Sequence, residues 1–121
     1  MVKVDRPREL NAAERTLLEF MLSRDFSGRD ALREQAKLAK VEAECECGCG
    51  TVDFVVAANA TKAIVNEPIP VEANRQAMDV LSFVRNGILS SLEIVDYLDQ
   101  RPLSYPSPEG LELQIKSSTT E

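Results

Sequence analysis

The apolar positions change period near residue 40, and that change predicts the architecture. From Ala12 to Ser23, Ala13, Leu17, Phe20 and Met21 recur at helical spacing, with Leu18 and Leu22 widening the stripe. Asn11 supplies an N-cap, and Glu14, three residues on, the reciprocal acid of a capping box. Leu10, just before the cap, is placed to staple onto the first turn. Asp25-Phe-Ser-Gly interrupts the pattern. Ser27 and Asp30 then repeat the cap-and-acid signature. A second helix from about Gly28 to Lys40 is predicted to bury Leu32, Ala36 and Ala39 and to show Arg29, Arg33 and Lys37 to water.

Beyond this point the period is two. Val41, Ala43, Cys45 and Cys47 alternate with Glu42, Glu44 and Glu46, which predicts a strand with one buried and one wet face. Gly48-Cys-Gly50 reverses the chain into a strand from Thr51 to Ala57 with Val52, Phe54 and Val56 on one side. Pro68 and Pro70 bracket an edge-like stretch ending in Val71-Glu-Ala. Val80 to Val84 and Leu89 to Tyr97 flank Asn86-Gly87, the pair a type I′ hairpin turn prefers because both central residues need positive φ. Pro102, Pro106 and Pro108 mark an irregular connection to Leu111, Leu113 and Ile115, a last short strand. Helices first and strands afterwards give an α+β fold, with two N-terminal helices packed on one face of an antiparallel β-meander of about four to five strands. Residues 1–10 are then a basic irregular arm, 11–116 a single α+β domain and 117–121 a frayed tail.

Composition narrows the classes of function. At 121 residues, 44% hydrophobic and 28% charged, the chain is one domain able to build its own core. Apolar runs of only a few residues exclude a transmembrane helix, so no membrane partner is expected. Met1-Val-Lys-Val-Asp-Arg-Pro-Arg lacks the apolar segment of a secretory signal, and a cytoplasmic location is expected. The net charge is −6 and unevenly spread. Residues 1–40 carry nine basic and seven acidic side chains, residues 41–121 five and thirteen. Such a field repels phosphates and speeds encounter with a basic partner, so no nucleic acid is expected. The six aromatic residues are scattered and offer no stacking platform.

The catalytic inventory is poor. There is no His, which removes the commonest general base and metal ligand, and the five glycines form no phosphate-cradling motif. The chain is therefore expected not to be an enzyme. Cys45-Glu-Cys47-Gly-Cys49-Gly is the one unusual local motif, and it has three readings. As small hydrophobes, Cys45 and Cys47 extend the Val41–Ala43 stripe and Cys49 sits in the turn. As ligands, Cys45, Cys47 and Cys49 would hold a soft ion such as zinc, with Glu46, another carboxylate, water or a second chain as fourth donor. Same-face Cα atoms of an extended strand, about 6.5–7 Å apart, fit that poorly. As redox groups, the pair in Cys-Gly-Cys would form a strained bridge or leave a reactive thiol.

Leu32-Arg-Glu-Gln-Ala, the Cys45-x-Cys-Gly-Cys turn leading to Val52-Asp-Phe, Pro70-Val-Glu-Ala, and Val80-Leu-Ser-Phe-Val-Arg-Asn-Gly followed by Leu89-Ser-Ser-Leu-Glu-Ile together resemble a family of short bacterial α+β proteins without an assigned activity. The resemblance runs from about Leu10 to Leu113 and departs from the family at Asn74-Arg-Gln-Ala-Met, where a glycine-containing loop is expected. It implies an intracellular, stand-alone domain, supplies no catalytic residues, and implies that the cysteines are replaceable.

The leading expectation is thus a small non-enzymatic cytoplasmic binding protein without a cofactor, an immunity-type inhibitor. Its acidic patch of Glu42, Glu44, Glu46 and Asp53 would meet a basic protein partner. The alternative is a small zinc-binding or thiol protein built on Cys45, Cys47 and Cys49. A homodimer through a strand edge, or through the apolar side chains of the hairpin from Leu81 to Leu92, is compatible with either.

Overall fold

A computed structural model describes residues 2–46, 49–98 and 106–116. It contains two helices and one seven-stranded antiparallel open sheet. In chain order the elements are β1 (Val2–Glu9), α1 (Ala12–Met21), α2 (Arg29–Leu38), β2 (Lys40–Glu44), β3 (Val52–Val55), β4 (Val71–Arg75), β5 (Met78–Arg85), β6 (Ile88–Asp96) and β7 (Glu112–Ile115). The α+β class follows the change of period. The sheet is wider than the four to five strands predicted, and its order β1-β2-β3-β6-β5-β4-β7 is not a meander. After β3 the chain crosses the space of two strands to build β4, then returns through β5 to β6, which pairs with β3. No helix among the described residues is long and apolar enough to cross a membrane.

The first helix forms as its cap predicts. Asn11 Oδ1 accepts from Glu14 N at 2.8 Å and Glu14 Oε1 accepts from Asn11 N at 2.9 Å, so two amides left without helical partners are satisfied reciprocally. Leu17, Leu18, Met21 and Leu22 are sealed from water, and Leu10 joins the same cluster. The second helix starts differently from expectation. Gly28, not Ser27, is its N-cap, with φ of 91° and no side-chain cap. A Cβ at Gly28 would collide with Val65 Cγ1 and Ile64 O, so both the backbone angle and the close approach of Ile64–Val65 select glycine. Arg29, expected in water, folds back so that Nη1 donates to Leu22 O at 3.1 Å and closes the α1–α2 turn.

Leu32, Ala36 and Ala39 are buried as the periodicity requires. Gln35 is buried with them, at 1% exposure, although a polar residue there carries no apolar signal. Its Nε2 donates to Thr61 O and Gly87 O, both at 2.8 Å, and its Oε1 accepts from Leu89 N at 2.8 Å. A single amide thereby ties α2 to the β5–β6 turn. Asn86 and Gly87 have φ of 53° and 79°, the signs that a type I′ turn needs. The β4–β5 reversal, where a glycine is absent, is made by Gln76-Ala77 with Ala77 at φ 64°.

The core lies between the helices and one face of the sheet. Val41, Val52, Phe54, Val71, Ala73, Val80, Val84, Leu89, Leu92, Ile94 and Leu113 meet Leu17, Leu18, Met21 and Leu32 in one cluster. The helices approach the sheet through these side chains, chiefly α2 at β6 and α1 at β4. Three expectations fail at the sheet's margins. Residues 2–9 are not an irregular arm but strand β1, paired antiparallel with β2. The stretch after Pro70 is an interior strand, flanked by β5 and β7. The strand predicted from Thr51 to Ala57 is shorter, at Val52–Val55. The tail at 117–121 and the connection at 99–105 lie outside the described residues.

Candidate functional site

The acidic strand was predicted to put its carboxylates on one wet face and its sulfurs on one buried face. A single extra residue undoes that. Val41 stands opposite Phe54, but Ala43 stands opposite Asp53, so Glu42 is a β-bulge in β2. Because side chains alternate with a period of two, the bulge reverses the facing of everything after it. Val41 belongs to the helix-side core; Ala43, though buried, does not. Glu44 accordingly comes to the helix side. Arg8 Nη2 lies 2.8 Å from Glu44 Oε2, while the same guanidinium meets both oxygens of Glu14 on α1 at 2.9 Å. The carboxylate counted as part of a wet patch is half of a clamp.

Burial opposes ionisation of Glu14, yet the hydrogen bonds from Arg8 and from Asn11 N, with the positive charge of Arg8, outweigh it and hold the carboxyl below its ordinary pKa. The Glu14 bond is likewise the largest cause raising the pKa of Arg8. Glu42 is half-buried at the bulge and Glu46 exposed beyond the strand end. Asp53 is half-buried on β3, level with Ala43 and Ser91. Of the four predicted acidic residues, Glu44 is drawn to the helix side and Asp53 remains on the opposite face.

Cys45 does not extend the core stripe. It is half-buried outside β2 and outside the core cluster, with its N–H donating to Thr51 O at 3.0 Å. Cys49 is half-buried, and its Sγ donates to Thr51 Oγ1 at 3.3 Å. Thr51 Oγ1 in turn accepts from Ile94 N at 2.9 Å, so Cys49 packs onto the β3–β6 junction. Cys47 lies outside the described residues.

What sequence reading missed is which strands assemble the sheet face turned away from the helices. The register lines its side chains into rows. Glu72, Leu81 and Glu93 stand level across β4, β5 and β6; Asn74, Asp79 and Val95 form the next row; Phe83, Ser91 and Asp53 cross β5, β6 and β3; Arg85 and Ile88 end the hairpin. These positions are mostly half-buried, as expected of a broad face that no described element covers. Leu81, Phe83, Ile88, Val95 and Val55 give it an apolar centre, and Asp53, Glu72, Asp79 and Glu93 a set of carboxylates against Arg85 among the four central strands. The alternating half of β5 and β6 was legible in sequence; the pairing of β4 and β3 with them was not, because it depends on the crossover.

Hydrogen bonds organise one side of this face. Asn74 Nδ2 donates to Glu72 Oε2 at 3.1 Å and to Asp79 Oδ1 at 2.6 Å, and the Tyr97 hydroxyl donates to Asp79 Oδ2 at 2.6 Å. Lys116 Nζ meets Glu72 Oε1 at 2.9 Å. The bonds from Lys116 and Asn74 hold the Glu72 carboxyl below its ordinary pKa. Donation to Asp79 keeps the proton on Tyr97 and pushes its phenol above the ordinary value.

No family model matches the chain, and no similar curated protein or solved structure was found.

Proposed function

We propose that this protein is a non-enzymatic binding domain whose helix-free sheet face docks a basic protein partner, in the manner of an immunity-type inhibitor masking a basic effector. One observation carries the reading: an apolar centre of Leu81, Phe83 and Val95 set among the carboxylates of Asp53, Glu72, Asp79 and Glu93. An apolar core supplies desolvation, and surrounding charge of one sign steers and orients a partner of the other. The acidic surface that matters is thus on β3–β6 and replaces the Glu42–Glu44–Glu46 patch, whose Glu44 is engaged by Arg8. Asp53 belongs to both.

The test is differential capture. Wild-type protein and the variant Asp53→Asn/Asp79→Asn/Glu93→Gln, matched for folding by circular dichroism, are used as bait at low and at high salt. A basic protein retained by wild type at low salt, and lost both at high salt and with the variant, supports the reading. Identical retention by both baits, or no basic protein bound, removes it.

A further inference from the structure

The two ends of the sheet differ, and the β7 end is shaped to receive another strand. β7 runs against β4 in unbroken register, Val71 with Ile115 through Asn74 with Glu112. Lys116 N donates to Pro70 O at 2.8 Å, which fixes the phase of the ladder. Antiparallel alternation then points the amides and carbonyls of Glu112, Gln114 and Lys116 toward β4, and those of Leu113 and Ile115 out to the free edge. β7 is the last strand of the sheet among the described residues. A groove of about 560 Å³ lies along it, with Phe20, Ser23 and Arg24 at the end of α1 on one wall and Leu111 through Gln114 on the other. Consecutive residues of a strand, whose side chains alternate, line one groove together only along the strand's edge. Near its other end Ile115 and Phe26, both only half-buried, border a second hollow of about 180 Å³.

We infer that β7 is a homodimer interface, pairing antiparallel with β7 of a second copy about a two-fold axis at Gln114. The charge pattern selects both partner and register. Centred on Gln114, the pairing sets Glu112 opposite Lys116 of the second copy, and Lys116 opposite its Glu112. Leu113 stands opposite the second copy's Ile115, so the outward-pointing backbone groups of these residues exchange their hydrogen bonds. Charges meet on the open face and apolar side chains on the helix side, where Phe20 and Phe26 border the grooves. A shift of the axis by one residue in either direction places both charges opposite other residues, and a two-fold interface needs a self-complementary strand. Opposite charges directly across strands favour pairing and like charges oppose it. The proposal is independent of the sheet-face reading above, since docking at the edge leaves that face open.

Sedimentation equilibrium of the full chain, carried into the high micromolar range, tests it. Wild type is expected to dimerise. Glu112→Lys and Lys116→Glu, each of which creates two like-charge pairs, are expected to weaken the dimer on the order of tenfold. An equimolar mixture of these two variants restores opposite charges at both positions and is expected to associate at least as tightly as wild type. Ile115→Pro, which removes an amide from the free edge and none from the β4 ladder, is expected to give a folded monomer. A wild type that stays monomeric, single variants that dimerise like wild type, or a mixture no tighter than its components overturns the interface, and the mixing arm does so without relying on the proline variant to fold.

Discussion

The edges of the sheet, β1 and β7, solve the same problem in opposite ways. β1 is an edge made difficult to extend: four residues between Lys3 and Arg8 stand against the single residue between Ala43 and Val41, so the strand bulges, and Pro7 within that bulge has no amide to offer. It is also fastened, because Arg8 joins Glu44 on its neighbour to Glu14 on α1. β7 has no proline, no bulge and an even ladder, and the ion pair across to β4, Lys116 with Glu72, is partly exposed. Strand ends are guarded by irregularity or left regular for pairing. This molecule does one at each end.

The contrast can be broken most severely at the clamp. Glu14→Gln leaves Arg8 without its bidentate partner and strips charge from the α1 cap, and is expected to cost about 2–3 kcal/mol in urea unfolding, with β1 amides exchanging fastest. Lys116→Ala at the other end is expected to cost less than about 1 kcal/mol, because an exposed pair is screened.

Acid sharpens the same comparison. A carboxyl whose folded pKa is depressed contributes stability above its unfolded value, about 4.3 for Glu, and loses that contribution as pH falls through the lower folded value. Both Glu14 and Glu72 are of this kind. Stability is therefore expected to be flat at neutral pH and to fall in acid, and Glu14→Gln is expected to flatten the acid limb more than Glu72→Gln in denaturation followed across pH. A loss of stability on the alkaline side of neutrality, absent in the variants, is the outcome that contradicts this.

Two smaller effects probe the sheet between the ends. Ser82 Oγ is buried on the core face of β5 with no hydrogen-bond partner among the described residues. Ser82→Ala is expected to be neutral or to stabilise by up to ~1 kcal/mol, measured as a shift in the unfolding midpoint. Asp79→Asn, in a Tyr105→Phe background, is expected to bring the Tyr97 phenol back toward its ordinary pKa in an ultraviolet titration, with little effect on stability.

Local signals in the sequence were sufficient for α1 and its capping box, for the Asn86-Gly87 hairpin and for the buried side of α2. Each is set by residues a few positions apart, through hydrogen bonds or φ preferences that need no distant partner. Strand β1 was invisible because Val2 to Glu9 is charged and carries Pro7; its pairing comes from β2. The alternation from Val41 to Cys47 was legible, but its meaning was not, since a bulge at Glu42 reverses the face of each later residue and sends Glu44 to Arg8. Gln35 gave no warning of its burial, because its three partners are backbone groups of Thr61, Gly87 and Leu89.

By itself, the sequence determined the two helices and the extended segments that follow residue 40, and that net negative charge accumulates in the C-terminal two thirds. Which strands stand side by side, which face each carboxylate occupies and which edge stays open were decided only in the folded chain. Periodicity records a residue's preference for water or core, whereas pairing and register are fixed by contacts between segments far apart along the chain. A one-residue bulge costs little locally and redirects every side chain that follows it.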